Sequence, residues 1–301
     1  MKDSYPDVSI LRFCCLLGVT RQALYQHEWR YADLNIEAGL IIQQVIHIRS
    51  RHPMIGTRKL YLMLQPFLEE HQIKIGRDKL FDVLATYKLL VRRRKRKIYT
   101  TQSYHRFHKY PNLIKEMKVK GINQLWVSDI TYFKIMEKFV YISFVTDAYS
   151  HKIIGFQVAQ TLETIHSLQA LEMAIKGICN SKKHKIIHHS DRGIQYCSEG
   201  YVKLLHDNNI LISMTENGDP LENPIAERAN GIIKEEYLSH YSDKTMPEIR
   251  ERLTQVVELY NNERPHMSCN MLTPEKVHRG NLTVEKVWKS YYNAKTSEPV
   301  P

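Results

Sequence analysis

From about residue 122 the chain changes its rhythm. QLWVSDITYFKI (124–135), KFVYISFVTDAYS (138–150) and KIIGFQVAQ (152–160) are rich in β-branched and aromatic residues, with short polar joints between them. They predict three strands in an antiparallel meander. The apolar positions then switch to helical spacing, with Leu168, Leu171, Ala174, Ile175 and Ile178 in one stripe of a helix near 163–178. KIIHH (185–189) reads as a short strand, 199–208 as a helix and LISMT (211–215) as a fifth strand. A helix starts at 224, where Asn223 can cap and Pro224 suits the first position. A long helix over 247–266 ends in Asn-Asn-x-Arg-Pro, and Thr273 and Pro274 start a short last one.

The first third is helical throughout. Ile10, Phe13, Cys14 and Leu17 recur at helical spacing, Gly18 ends that helix, and Thr20 caps a second over about 20–28. This is the layout of a helix-turn-helix, and Arg21, Gln22 and Gln26 on its second helix are side chains suited to base edges. A plain helical hairpin has the same pattern. Further helices are expected near 36–50, 57–70 and 77–87, with Thr57 as a cap and Leu60, Met63 and Leu64 facing a small core. Arg58, Lys59, Arg77 and Lys79 would be its surface cations. Residues 98–113 read as a connector whose Tyr104, Phe107 and Tyr110 either pack on the core or stack on DNA.

Charge sharpens this division. The net charge is +11, but residues 1–115 hold 21 Lys and Arg against 9 Asp and Glu, so the basic excess is all N-terminal. Six consecutive cations, RRRKRK (92–97), including Arg92, Arg93, Arg94 and Lys95, follow the helical region. A basic appendage on a near-neutral core suits nucleic acid, and the run suits phosphate tracking unless it is a solvated linker. No stretch approaches the ~20 apolar residues of a membrane span. The five cysteines show no C-x-x-C pairing, which argues against a disulfide framework or a cysteine zinc site. With no signal pattern at the N-terminus, a cytoplasmic protein is expected.

The candidate chemistry lies in three acids. Asp129 sits inside an apolar strand, where a carboxylate needs a partner or a metal. Asp191 follows the KIIHH strand, and Glu227 lies in the helix from 224, with 35 residues between them. Lys234, seven residues beyond Glu227, would share its helix face. Carboxylates from two strands and a helix have one common use, holding two divalent cations of the Mg²⁺ type for in-line phosphoryl transfer. Taken singly, each is also an ordinary solvated acid.

WVSDITY (126–132), HSDRGIQY (189–196), the Asn-Pro-x-Ala-Glu run (223–227) with Lys234, and YNNERPHMS followed by LTPEKV (260–277) together resemble insertion-sequence transposases of the OrfB type, in the superfamily that includes retroviral integrases. The resemblance covers roughly 120–280. It implies an α/β core of ribonuclease H-like type, a mixed five-stranded sheet with flanking helices in which the first and fourth strands are neighbours. It implies Asp129, Asp191 and Glu227 as ligands of two Mg²⁺ or Mn²⁺ ions, and Lys234 as a DNA contact. Ser128 stands where Thr is frequent in the family. The expected partners are double-stranded DNA, other copies of the chain and a protein encoded in an upstream reading frame. Arg192 and Gln195 are further candidate DNA contacts. Asn223 and Asn230 would hold Glu227 in place, though capping alone would explain Asn223. His189 either positions a metal water or phosphate, or is bonded locally. Arg264 and His266 either orient DNA or pack beneath the core, and the 216–222 loop is either a gate or a surface connector. The resulting plan is a helix-turn-helix-like segment (1–30), a second helical module (36–91), a basic linker (92–113), a catalytic core (116–280) and a tail (281–301). A nuclease limited to hydrolysis and a helix-turn-helix regulator are the rival readings.

Overall fold

The computed structural model describes residues 8–91, 106–135, 138–178, 185–216, 222–242, 245–280 and 282, without the side chains of 27–35. The run at 92–97, Tyr104, most of the 216–222 loop and the tail beyond 282 lie outside the described residues. The chain divides into two compact units, residues 1–50 with 56–91, and residues 51–55 with 92–301.

The first unit contains α1 (Ile10–Leu17), nearly all of α2 (Arg21–Arg51), α3 (Thr57–Glu70) and α4 (Arg77–Thr86). Ser9 caps α1, and Gly18 ends it with φ 67°, a left-handed conformation that suits glycine. The Thr20 hydroxyl accepts from Ala23 N–H at 3.1 Å and opens α2. The separate helices expected at 20–28 and 36–50 are one continuous helix of 31 residues. Residues 28–36 contain neither Gly nor Pro, so no local signal stops it. Leu60, Leu64, Leu80 and Leu84 are fully buried with Val45, and they form the core of this unit. Two expectations fail at α3. Its N-cap is Gly56 rather than Thr57, and Lys59 is buried rather than a surface cation.

The second unit is built on β1 (Leu125–Ile135), β2 (Lys138–Asp147), β3 (Ile153–Ala159), β4 (Ile187–Ser190) and β5 (Leu211–Met214), in the order β3-β2-β1-β4-β5. β1, β2 and β3 pair antiparallel, while β4 joins β1, and β5 joins β4, in parallel. This is the ribonuclease H-like arrangement. Alternation along the strands feeds two cores. On one face Trp126 and Val145 pack with α5 (Thr164–Lys176), α6 (Ile194–Cys197) and α7 (Glu199–Asp207). On the other, Ile142 and Phe144 pack with the end of α8 (Pro224–Ile232) and with α9 (Met246–Asn262). α5 comes so close to β3 that a Cβ on Gly155 would stand 2.0 Å from the Ala170 carbonyl oxygen.

α9 starts in a Thr245–Glu248 capping box and stops at Asn262, four residues short of the expected end, because the Arg264–Pro265 pair cannot continue a helix. The Asn-Asn-x-Arg-Pro run then fastens the fold. Asn261 exchanges two hydrogen bonds with the Ile153 backbone, at 3.0 and 2.9 Å. Arg264, 1% exposed, forms a two-pronged pair with Glu236 at 2.8 Å on each prong. Arg264 therefore packs beneath the core. α10 (Pro274–Gly280) closes the described fold.

Candidate active site

The register of the parallel strands places the first two acids. Val127 of β1 pairs with His189 of β4; Asp129 follows two residues on within β1 and Asp191 just past the end of β4, close enough for its charge to act on Asp129. Leu125 and Val127 pack with Ala226 and Ile225 of α8 and with Ile187. This contact docks the start of α8 beside the two aspartates and brings Glu227, exposed in its first turn, to them.

The acids feel one another. Burial first, then the negative charges of Asp191 and Glu227, push Asp129 up to about 8. Two donors hold its carboxylate: Ile130 N–H gives to Oδ1 at 2.9 Å and the Asn230 side-chain amide gives to Oδ2 at 2.7 Å. Asp191 accepts from Gly193 N–H at 3.0 Å, and a Cβ on Gly193 would stand only 3.0 Å from that same oxygen. The backbone thus curls around Asp191 where a side chain would crowd it.

Several expected roles change in detail. Asn223 sits at the N-cap of α8, but its side chain makes no cap bond. Its amide instead donates to the Ser128 carbonyl at 2.9 Å and ties α8 to β1. Asn230 holds Asp129 rather than Glu227. Both ring nitrogens of His189 are engaged within the fold, with the Ser213 hydroxyl at 2.9 Å and the Glu222 carbonyl at 3.2 Å, so the local-bonding reading fits. Gln195 commits its amide N–H to the Leu162 carbonyl at 2.8 Å rather than projecting toward a ligand. Arg192 is half-buried beside Asp191, and Arg21, Gln22 and Gln26 are exposed on the first turns of α2. Arg92, Arg93, Arg94 and Lys95 lie outside the described residues.

Lys234 follows a local change in the helix. The helix widens to a π-turn over Ile233–Tyr237, so α-helical spacing does not carry through to it. Lys234 is half-buried, donates to the Thr131 hydroxyl at 3.1 Å and lies 4.8 Å from the Tyr132 ring centre. Thr131 is on the same face of β1 as Asp129, so the ammonium still belongs to the acids' neighbourhood. Burial lowers its pKa, against the opposing pull of Glu235 and Asp129.

Sequence reasoning missed a buried set behind the acids. His188 Nε2 meets the Ser128 hydroxyl at 2.8 Å and the Tyr201 hydroxyl at 3.0 Å, on the opposite face of the sheet. Burial pushes this imidazole down to about 3, so it is neutral and braces β1 against β4. Polar residues at 128 and 188 within apolar strands were the available signal. Thr131, the partner of Lys234, left no signal.

A family described as "Integrase core domain" matches residues 120–220, and a second family of the same description matches 208–274. The chain is 30% identical to the insertion element IS600 uncharacterized 31 kDa protein of Shigella sonnei, over 88% of this chain and 98% of that one. It is 31% identical to the transposase for insertion sequence element IS629 of Shigella sonnei, over 71% and 70% of the two chains. Among solved structures, the HTLV-2 integrase catalytic core domain in complex with magnesium aligns with a TM-score of 0.43 and 18% identity, over 52% of this chain and 96% of that one.

Proposed function

We propose that this chain, which belongs to the integrase core family as an insertion-sequence transposase, cuts and joins DNA with Asp129, Asp191 and Glu227 as the ligands of its divalent cations. The chain is a polynucleotidyl transferase of the Asp-Asp-Glu type. The observation that carries the assignment of residues is the pairing of β1, which holds Asp129, with β4, which ends one residue before Asp191, with burial, Asp191 and Glu227 together raising the Asp129 pKa.

The donor set fits a hard cation. It offers three carboxylates; burial and then the neighbouring negative charges raise the Asp129 pKa, and a divalent ion would relieve the repulsion among them. Mg²⁺ or Mn²⁺, two ions in this reading, would when bound supply an activated attacking oxygen and charge neutralisation at the leaving oxygen. The residues of the chain do the rest. Ile130 N–H and the Asn230 amide fix the plane of the Asp129 carboxylate. Asn223 and the Ala226 contact hold α8 and hence Glu227 against β1. Water, and then a DNA 3′-hydroxyl, attacks the phosphodiester in line, with no covalent protein intermediate.

Lys234 exchanges its Thr131 bond for a phosphate or base edge of the DNA end. Arg192 contacts the backbone beside Asp191. Arg92, Arg93, Arg94 and Lys95 track phosphates, while Arg21 and Gln22 face the bases. His189 positions the end of β4 through Ser213 and the Glu222 carbonyl, and Gln195 fastens α6 to the Leu162 carbonyl. Joining two element ends to one target calls for more than one copy, so we place a homo-oligomer on double-stranded DNA, with an upstream-frame protein as a further partner. We place this work in the cytoplasm, at the nucleoid. Among the described residues no helix is long and apolar enough to cross a membrane. Nothing in the relatives favours a nuclease limited to hydrolysis or a regulator.

Titrating Mg²⁺ into the protein while following its melting temperature tests the ligand assignment. The wild type should be stabilised, and Asp191→Asn should lose most of that response. An equal response in the variant would remove Asp191 from the ligand set.

A further inference from the structure

A second group of ligating side chains lies outside the acidic site. β2 ends at Asp147, whose carboxylate fastens the turn to β3. Its Oδ1 accepts from the Ser150 N–H at 2.8 Å and from the Ser150 hydroxyl at 2.7 Å, and its Oδ2 from Asn123 N–H at 2.7 Å. His151 follows with φ 58°, a left-handed conformation unusual for a non-glycine residue. Its N–H bonds the Asp147 carbonyl at 2.9 Å, and its own carbonyl accepts from the Tyr260 hydroxyl at 3.0 Å. Facing it, the chain after α9 makes a compact loop. The N–H groups of Cys269 and Met271 both give to the His266 carbonyl at 3.0 Å, and Met267–Cys269 forms one 3₁₀ turn. Asn270 and Met271 are left-handed, at φ 50° and 63°. Residues three apart eclipse in 3₁₀ geometry, which favours His266 and Cys269 facing the same side. The rings of His151 and His266 stack at 4.4 Å and 17°, and one ligand atom from each of His151, His266 and Cys269 lies within 4.8 Å of the others.

We propose that His151, His266 and Cys269 form a binding site for a transition-metal ion of the Zn²⁺ class, separate from the acidic site. Two imidazoles and a thiolate are borderline-to-soft ligands that select Zn²⁺ or Co²⁺ over Mg²⁺. Two tight turns hold the three backbones in place, and on binding the stacked imidazoles turn so that a ring nitrogen of each faces the ion. His266 and Cys269 are buried and His151 is half-exposed, which leaves an approach for the ion and a place for a water as fourth ligand. The thiol now donates to the Ser150 carbonyl at 3.2 Å. On binding, the S–H bond breaks, a sulfur–metal bond forms and the proton passes to water. The ion would staple the β2–β3 turn to the loop after α9.

The test is titration of the full-length, chelator-treated protein with Co²⁺. We expect one equivalent to give a thiolate-to-cobalt charge-transfer band that Zn²⁺ displaces and excess Mg²⁺ does not. Cys269→Ser, nearly equal in volume, should abolish the band, and His151→Gln, at a half-exposed position, should weaken Co²⁺ binding at least tenfold. Asp191→Asn should keep the band, which separates this site from the acids. Zn²⁺ should raise the melting temperature of the wild type and leave that of Cys269→Ser unmoved. No charge-transfer band, a band that survives Cys269→Ser, or full-strength binding by His151→Gln would overturn the proposal. If Cys269→Ser fails to fold, the His151→Gln titration decides.

Discussion

Asp129 is where burial and charge meet. An ordinary carboxylate titrates near pH 4, whereas burial and the charges of Asp191 and Glu227 push this one up to about 8. The sign of the consequence is fixed. Between those two values the folded, cation-free protein holds a proton that the unfolded chain has released, so stability falls as pH rises through the window, by at most about 1.4 kcal/mol per pH unit. Asp129→Asn should flatten this dependence. Urea unfolding near pH 5 and near pH 8 in the presence of chelator checks it, and equal slopes for wild type and variant would contradict it. At this scale the acids were legible because each sits in a short motif, and Asp129 interrupts an apolar run. The partners were less so. Asn230 and Asn223 stood out in the sequence, but which atom each bonds depends on strand register and helix docking, which local pattern does not contain. α-helical spacing predicts the face of Lys234, and the π-turn over Ile233–Tyr237 has no sequence signature.

The elements were legible wherever periodicity was strong. All five strands and the helices after β3 lie within a few residues of their expected places, with α6 the added turn. Breakers were read best where present. Gly18 and Pro265 mark real ends, and the absence of any breaker in 28–36 is the signal that α2 runs on. Gly155 has a role that no pattern announces, since it lets α5 lie directly on β3. Gly155→Ala should cost about 3 kcal/mol, because the Cβ meets backbone that cannot rotate away. A thermal melt measures this, and an unchanged melting temperature would show that α5 can slide. The Asn-Asn-x-Arg-Pro run belongs here too. The sequence marks it as a helix stop and leaves Arg264 either to orient DNA or to pack beneath the core; Asn261 and Arg264 are clamps between α9, β3 and the π-turn.

For the whole molecule the decisive quantity is the charge distribution. The N-terminal excess stands against a core that is near neutral and carries an acidic centre. An acidic centre repels phosphate until cations fill it, so affinity for DNA must come from elsewhere in the chain. Changing Arg92, Arg93, Arg94 and Lys95 to Gln should weaken binding alike for element-end and random duplexes. It should also shrink the slope of log affinity against log salt by up to about 0.9 per lost contact. Binding measured at several salt concentrations reads this directly, and an unchanged slope would make the run a solvated linker. The central claim concerns what happens once DNA is held. Its most direct test is a strand-transfer reaction with Mg²⁺, an element-end duplex and a plasmid target, comparing wild type with Glu227→Gln, a change at an exposed position that leaves the core untouched. Wild type should produce joined DNA, while the variant should bind the same duplex and produce at least a hundredfold less. Joining by Glu227→Gln at a rate close to wild type would contradict the account.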